Sequence, residues 1–228
     1  MIPLKDDNPT EGTPIVTYAL VAANVLAFLW QLQVGLEISA FRGGAIPYEI
    51  LTFRDVEWRD VVPPPFTILT SMFLHGGVVH LGFNMLSLWI FGNNVEDALG
   101  RVRFFLFYVA TGIAAALVQT FASAVADDTL VPMVGASGAI AGVLAGYLVL
   151  FPHSRVLTAV VIVFFIRLMY LPARFVIGAW FALQIVSAVF GGARGVAVFA
   201  HIGGFVAGFL LVRFIGRRPT WRARRFSW

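Results

Sequence analysis

The stretch Gly135-Ala136-Ser137-Gly138-Ala139-Ile140-Ala141-Gly142-Val143-Leu144-Ala145-Gly146 decides how this chain is read. Glycine recurs every fourth residue from Gly138 through Gly142 to Gly146, which on a helix strips one face of side chains and lets another backbone come close. One hydroxyl, Ser137, stands at the start. A second run, His201-Ile202-Gly203-Gly204 and onward to Gly208, has the matching character. His201, Gly204 and Gly208 fall at i, i+3 and i+7, so the imidazole shares the face that packs on the first helix, where Ser137 begins. A Ser137–His201 contact is the expectation. Alone, Gly-Ala-Ser-Gly reads as a packing face; the imidazole on the partner helix favours chemistry.

The surroundings are apolar. Of 228 residues, 59% are hydrophobic and 12% charged, with a mean hydropathy of +0.86, against about 25% charged in soluble domains. The composition excludes an ordinary soluble globule and predicts an all-α membrane protein. The net charge of +4 does not indicate nucleic acid. Six of the sixteen Lys and Arg, from Arg213 to Arg225, crowd into the last sixteen residues as a basic juxtamembrane tail suited to anionic lipid. With no cysteine, thiol chemistry and disulfides are excluded.

A helix needs about 20 apolar residues to cross the hydrocarbon. Six stretches qualify or nearly so: Pro14 to Val34, Gly76 to Gly92, Arg103 to Val125, Gly135 to Phe151, Pro172 to Phe190 and Val196 to Ile215. The first reads as retained rather than as a cleaved signal, since only Lys5 supplies a positive charge before it. Residues 35–75 form an outer loop, polar between Glu37 and Asp60. Val156 to Ile166 is too short to span and reads as re-entrant or interfacial. Six crossings put both termini on one side. The positive-inside rule makes that side the cytoplasm, with ten basic residues there against Arg42, Arg54, Arg59 and Arg194 outside. The expected setting is a bacterial plasma membrane, with residues 1–228 forming one membrane domain that ends in the tail 216–228.

Polar groups in hydrocarbon are costly and therefore suggest function. His80 and Asn84, at i and i+4, share one face of the second stretch. Counted from breaks at Asn93, Pro152 and Gly216, His80, Ser137 and His201 stand 13, 15 and 15 residues up their helices, about 20 to 22 Å at about 1.5 Å per residue. They share one level beneath the outer face. A serine hydroxyl attacks poorly until a base takes its proton, and neutral imidazole suits that task. His201 is the candidate base. An oxyanion then needs donors, available from the Ser137 amide at a helix start and from the His80 and Asn84 side chains.

The ordered set His80-x-x-x-Asn84, Gly135-x-Ser137-Gly138 and His201-x-x-Gly204-x-x-x-Gly208 resembles the rhomboid family of intramembrane serine proteases, and the likeness covers nearly the whole chain. The resemblance implies a six-transmembrane-helix bundle and a Ser137–His201 dyad without a carboxylate. It further implies an oxyanion site from His80, Asn84 and the Ser137 amide, single-span membrane proteins as substrates cut near the outer interface, and no metal or organic cofactor. Two positions depart from the family pattern. Phe66-Thr67 stands where many members have Trp-Arg, and Ala141 stands where many have a tyrosine that stacks on the catalytic histidine, so another group must hold His201.

Competing readings are a catalytically weak or inactive rhomboid-like protein that binds transmembrane helices, and a small transporter with a polar midplane site. A three-histidine metal site is disfavoured, because His153 lies on the cytoplasmic side and none of the six stretches contains Asp or Glu. His75 is read as a structural hydrogen-bonding residue at the outer interface.

Overall fold

Helix α1 (Ile15–Val34) buries Thr17, Leu20, Asn24, Phe28 and Gln31 on one stripe and turns Leu26, Leu29 and Leu32 outward. Polar atoms inside and leucine outside is the reverse of a soluble helix. It suits hydrocarbon, where polar groups find partners only within the protein and apolar side chains face lipid at no cost. The same inversion recurs on Val102, Phe105, Leu106 and Phe121 and on Leu183, Val186, Leu210 and Phe214, all exposed.

The computed structural model describes residues 1–56, 62–162, 165–190 and 197–215, and these are mostly helical. Strand β1 (Ile2–Asp6) precedes α1. Short helices α2 (Leu36–Gly43), α3 (Pro47–Thr52) and α4 (Pro64–Thr70) build the outer loop. Helix α5 (Val78–Ser87) runs through a π segment (Leu88–Gly92) into α6 (Asn93–Leu99), followed by α7 (Arg101–Val125) and α8 (Ser137–Leu150). Strands β2 (Arg155–Ile162) and β3 (Phe165–Pro172) lead to α9 (Ala173–Val189) and α10 (Val198–Phe214). Glu57 to Asp60, Arg194 and the tail 216–228 lie outside the described residues.

Each expected stretch coincides with a helix. By length and composition, three helices among the described residues can cross a membrane: α1, α7 and Ala173–Phe190. The pair Pro64–Phe73 and Val78–Leu99, bent by 81°, makes a fourth if counted as one span, while α8 and α10 are apolar but shorter.

Three expectations need correction. The protein is not all-α, because β1, β2 and β3 form an antiparallel sheet in that order. Of Val156 to Ile166, expected to be re-entrant or interfacial, the described residues 156–162 and 165–166 are strand in a hairpin, with Arg155 paired to Pro172 and Ile162 to Phe165. The second helix does not break at Asn93. It continues to Leu99 and so carries Glu96 and Asp97, because that polar run has partners inside the protein rather than in water.

Those partners form a polar knot where β1 meets α6 and α8. Asp6 Oδ2 accepts from Tyr147 Oη at 2.7 Å and from Asn94 Nδ2 at 2.8 Å, and Asn8 Nδ2 donates to Asn94 Oδ1 at 2.6 Å. Burial pushes the Asp6 carboxyl up to about 6, outweighing the stabilising hydrogen bond from Tyr147. Beside it, the Glu96 carboxylate accepts from the amides of Val16 and Thr17 and the Thr17 hydroxyl, capping α1, which starts at a proline and has no side-chain cap of its own.

Helix α8 sits at the centre, buried at every position from Gly138 to Tyr147. It runs parallel to α10 at backbone contact: a Cβ on Gly204 would strike the Gly138 carbonyl oxygen, and one on Gly208 would strike that of Gly142. On another side α7 closes in, with Ala115 against Gly138 and Thr111 against Gly142. Small residues here do the work of association that water does for soluble cores.

Candidate active site

Ser137 is the first residue of α8, so its amide has no carbonyl one turn earlier to accept it. The approach to it is fixed by Gly135, whose amide donates to the Ser71 carbonyl at 2.9 Å and whose φ of +135° lies outside the range that side chains tolerate. Space is a second reason for glycine. A Cβ there would lie 2.9 Å from His80 Cε1 and 3.4 Å from Ser137 Oγ, so its absence lets the imidazole and the hydroxyl share one small volume.

His201 lies in the first turn of α10. The start of that helix is tied to α7, since the Ala200 amide donates to Gln119 Oε1 at 3.1 Å. From this position His201 Nε2 stands 2.8 Å from Ser137 Oγ. The structure thus brings together two side chains 64 positions apart, at the distance a proton transfer needs.

His80 and Asn84, one turn apart on α5, line the same cavity of about 750 Å³ as Ser137 and His201. The Gly76 amide donates to His80 Nδ1 at 3.3 Å, which leaves Nε2 to carry the proton in the neutral ring. Asn84 Nδ2 is buried without any acceptor. Gly138, Gly142, Gly204 and Gly208 lie on the α8–α10 seam described above.

His75 is fully buried at the mouth of α5, its ring edge-on to His80 with centroids 5.1 Å apart. Its amide donates to Gln31 Oε1 at 2.7 Å while Gln31 Nε2 donates back to its carbonyl, but neither ring nitrogen has a partner. His153 is exposed beyond α8. Among the described residues no three His, Cys, Asp or Glu side chains converge on a point. The outer loop needs no Trp-Arg pair. Thr70 Oγ1 donates to the Gly43 carbonyl at 2.6 Å, and Ala45 and Met133 exchange amide hydrogen bonds in both directions. Phe66 is exposed, and Thr67 is buried, its hydroxyl donating to the Pro64 carbonyl.

Sequence reasoning missed the residues around His201 itself. Gln184 Oε1 lies 2.8 Å from His201 Nδ1, and the Trp180 ring lies 5.7 Å from the imidazole at an angle of 45°. Both come from α9, spaced i and i+4 on one face. The signal was available, because Gln184 is a strongly polar side chain inside an apolar stretch.

A family model described as Rhomboid domain matches residues 63–218. Rhomboid protein 1, mitochondrial, of Saccharomyces cerevisiae is 33% identical over 211 residues, covering 89% of this chain and 54% of that protein. Rhomboid protease GluP of Bacillus subtilis is 29% identical over 213 residues, covering 90% and 36%. Presenilin-associated rhomboid-like protein, mitochondrial, of Homo sapiens is 30% identical over 224 residues, covering 96% and 52%. The chain thus spans about half or less of the length of these curated relatives, and its matched domain includes α4 through α10 with His80, Asn84, Ser137 and His201. By that match, the chain belongs to the rhomboid family of membrane proteins.

Proposed function

We propose that the protein is an intramembrane serine endopeptidase acting on single-span membrane proteins near the outer interface. The observation that carries this reading is the 2.8 Å separation of Ser137 Oγ and His201 Nε2 at a cavity of about 750 Å³ that His80 and Asn84 also line. Ser137 Oγ attacks the scissile carbonyl carbon as its proton passes to His201 Nε2. The resulting oxyanion accepts hydrogen bonds from the Ser137 amide, His80 and Asn84, whose otherwise unpartnered Nδ2 is satisfied only then. The C–N bond breaks as the imidazolium returns its proton to the leaving amine. Water, deprotonated by the same imidazole, then attacks the ester and frees the acid and Ser137.

No bound group is required, and lipid and substrate helix are the partners this reading calls for. The six helices form one domain with both termini cytoplasmic in a bacterial plasma membrane, supported by the excess of Lys and Arg on that side. Two of the relatives carry mitochondrial names. Because the chain has no cysteine, single cysteines introduced near each end and labelled from either side test the orientation directly.

The deciding experiment incubates purified protein with a panel of single-span substrates, wild type beside Ser137→Ala, and maps products by mass spectrometry. Cleavage by the wild type alone, with fluorophosphonate labelling that disappears in Ser137→Ala, is expected. Substrate retention without cleavage or labelling would replace the protease with a rhomboid-like protein that only binds transmembrane helices.

A further inference from the structure

His201 is held from a helix that is itself lightly held. The buried residues of α9 are Ala173, Val176 and Ile177, all in its first two turns. Its second half, which carries Trp180 and Gln184, docks on α10 through the stacked rings of Phe181 and Phe205, 4.0 Å apart at 17°. Phe181 precedes Gln184 by three positions and Phe205 follows His201 by four, so the ring stack lies next to the Gln184–His201 hydrogen bond along both helices.

With Gln184 Oε1 facing it at 2.8 Å, Nδ1 meets an acceptor, the arrangement that suits a proton on Nδ1. The neutral imidazole then has its lone pair on Nε2, facing the Ser137 hydroxyl. The opposite tautomer would require the Gln184 amide to turn its Nε2 toward Nδ1 and would present Nε2–H to the serine, a ring unable to take the hydroxyl proton. Ala141 leaves no aromatic ring from α8 to restrain the imidazole, and the tilted Trp180 ring covers it from α9 instead.

We infer that Gln184 is a positioning residue, which holds His201 as the Nδ1–H tautomer with its Nε2 lone pair aimed at Ser137 Oγ. Its role in turnover rests on the protease reading; its control of the tautomer does not. A neutral amide fixes orientation as a carboxylate does but adds no negative charge to stabilise the imidazolium. The same side chain makes the competence of the dyad depend on where α9 sits, so loosening the Phe181–Phe205 stack frees the ring without touching either reacting residue.

The test uses full-length protein with ¹⁵N-labelled histidine, His201 being assigned by the signal lost in His201→Gln. Wild type is expected to give an Nδ1–H signal for that ring, Gln184→Leu a mixture of both tautomers, and Gln184→Glu the wild-type tautomer. On a cleaved substrate, Gln184→Leu should lower kcat about 10- to 100-fold with KM nearly unchanged, as the loss of a group that orients a catalytic histidine does. Gln184→Glu should restore most of kcat and move the acidic limb of the pH profile upward, with His80, the other imidazole lining the cavity, present in every variant. Phe205→Ala should reproduce the Gln184→Leu tautomer mixture. An unaltered tautomer in folded Gln184→Leu overturns the inference. If no substrate is cut and Ser137 resists fluorophosphonate, the protease reading fails, and the nitrogen signals still decide the role of Gln184.

Discussion

The protein keeps two clusters of polar side chains out of water, and they are built on different terms. In the knot of Asp6, Asn8, Asn94, Glu96, Thr17 and Tyr147, every buried polar side-chain atom has a partner. The Ser137 cavity differs: Asn84 Nδ2, which lines it, is buried without a partner, and so are both ring nitrogens of His75, which packs on His80. Leaving a buried donor unmade costs about 1 to 3 kcal/mol. On the proposed function, the satisfied cluster is structural and Asn84, unpaired, is kept for a substrate oxygen.

Substitutions can break this contrast, and the largest effect falls on the unsatisfied side. Asn84→Ala should lower kcat by about 10²- to 10³-fold, the loss associated with one oxyanion donor, while thermal stability stays level or rises slightly because an unpaired buried amide is removed. A variant that loses stability while keeping its rate would make Asn84 a structural residue after all. In the inner cluster the outcome should invert. Asp6→Ala takes the acceptor from the Tyr147 hydroxyl and from one of the two Asn94 Nδ2 hydrogen bonds, the other going to Asn93, so stability should fall by about 1 to 3 kcal/mol, with kcat for the surviving folded protein close to wild type. Denaturant titration in detergent measures the first quantity and substrate turnover the second.

The smallest effect sharpens the comparison through pH. Folding raises the Asp6 carboxyl from its ordinary 3.8 to about 6, so the folded chain holds that proton more tightly than the unfolded one. Its contribution is therefore fully present below about pH 4 and is lost as pH rises through about 6. Asp6→Asn keeps an oxygen for both donors and cannot titrate. The melting temperature of wild type relative to Asp6→Asn should decline between pH 4 and pH 7; a constant difference across that range would show that burial does not perturb this carboxyl.

How much of this could be read in advance depends on what each residue reports. Gly138, Gly142, Gly204 and Gly208 announce the α8–α10 seam directly, because glycine at a fixed spacing states where a backbone must come close. His80, Asn84, Ser137 and His201 stand out because polar groups are rare in these helices. Gln184 obeys the same logic and passed unnoticed, since a neutral amide attracts less attention than an ionisable ring. The run Asn93-Asn94-Val95-Glu96-Asp97 imitates a loop, and only the positions of β1 and α1 reveal that it is interior helix. The sheet was illegible for a different reason. Residues 155–172 are apolar on both faces, so no alternation marks them as strand, and β1, which pairs with β2, lies on the far side of α1 through α8.

That last separation has a consequence for how the chain is made. Strand β1 is synthesised before α1, yet its hydrogen-bonding mate β2 emerges about 150 positions later, after α1 through α8. Until then β1 lacks its ladder partner, although Asn94 and Tyr147, which hold Asp6 and Asn8, and Glu96, which caps the first helix, are already made. The β1–β2 ladder therefore ties the segment before α1 to the segment after α8, a closure available only once α1 through α8 have been made.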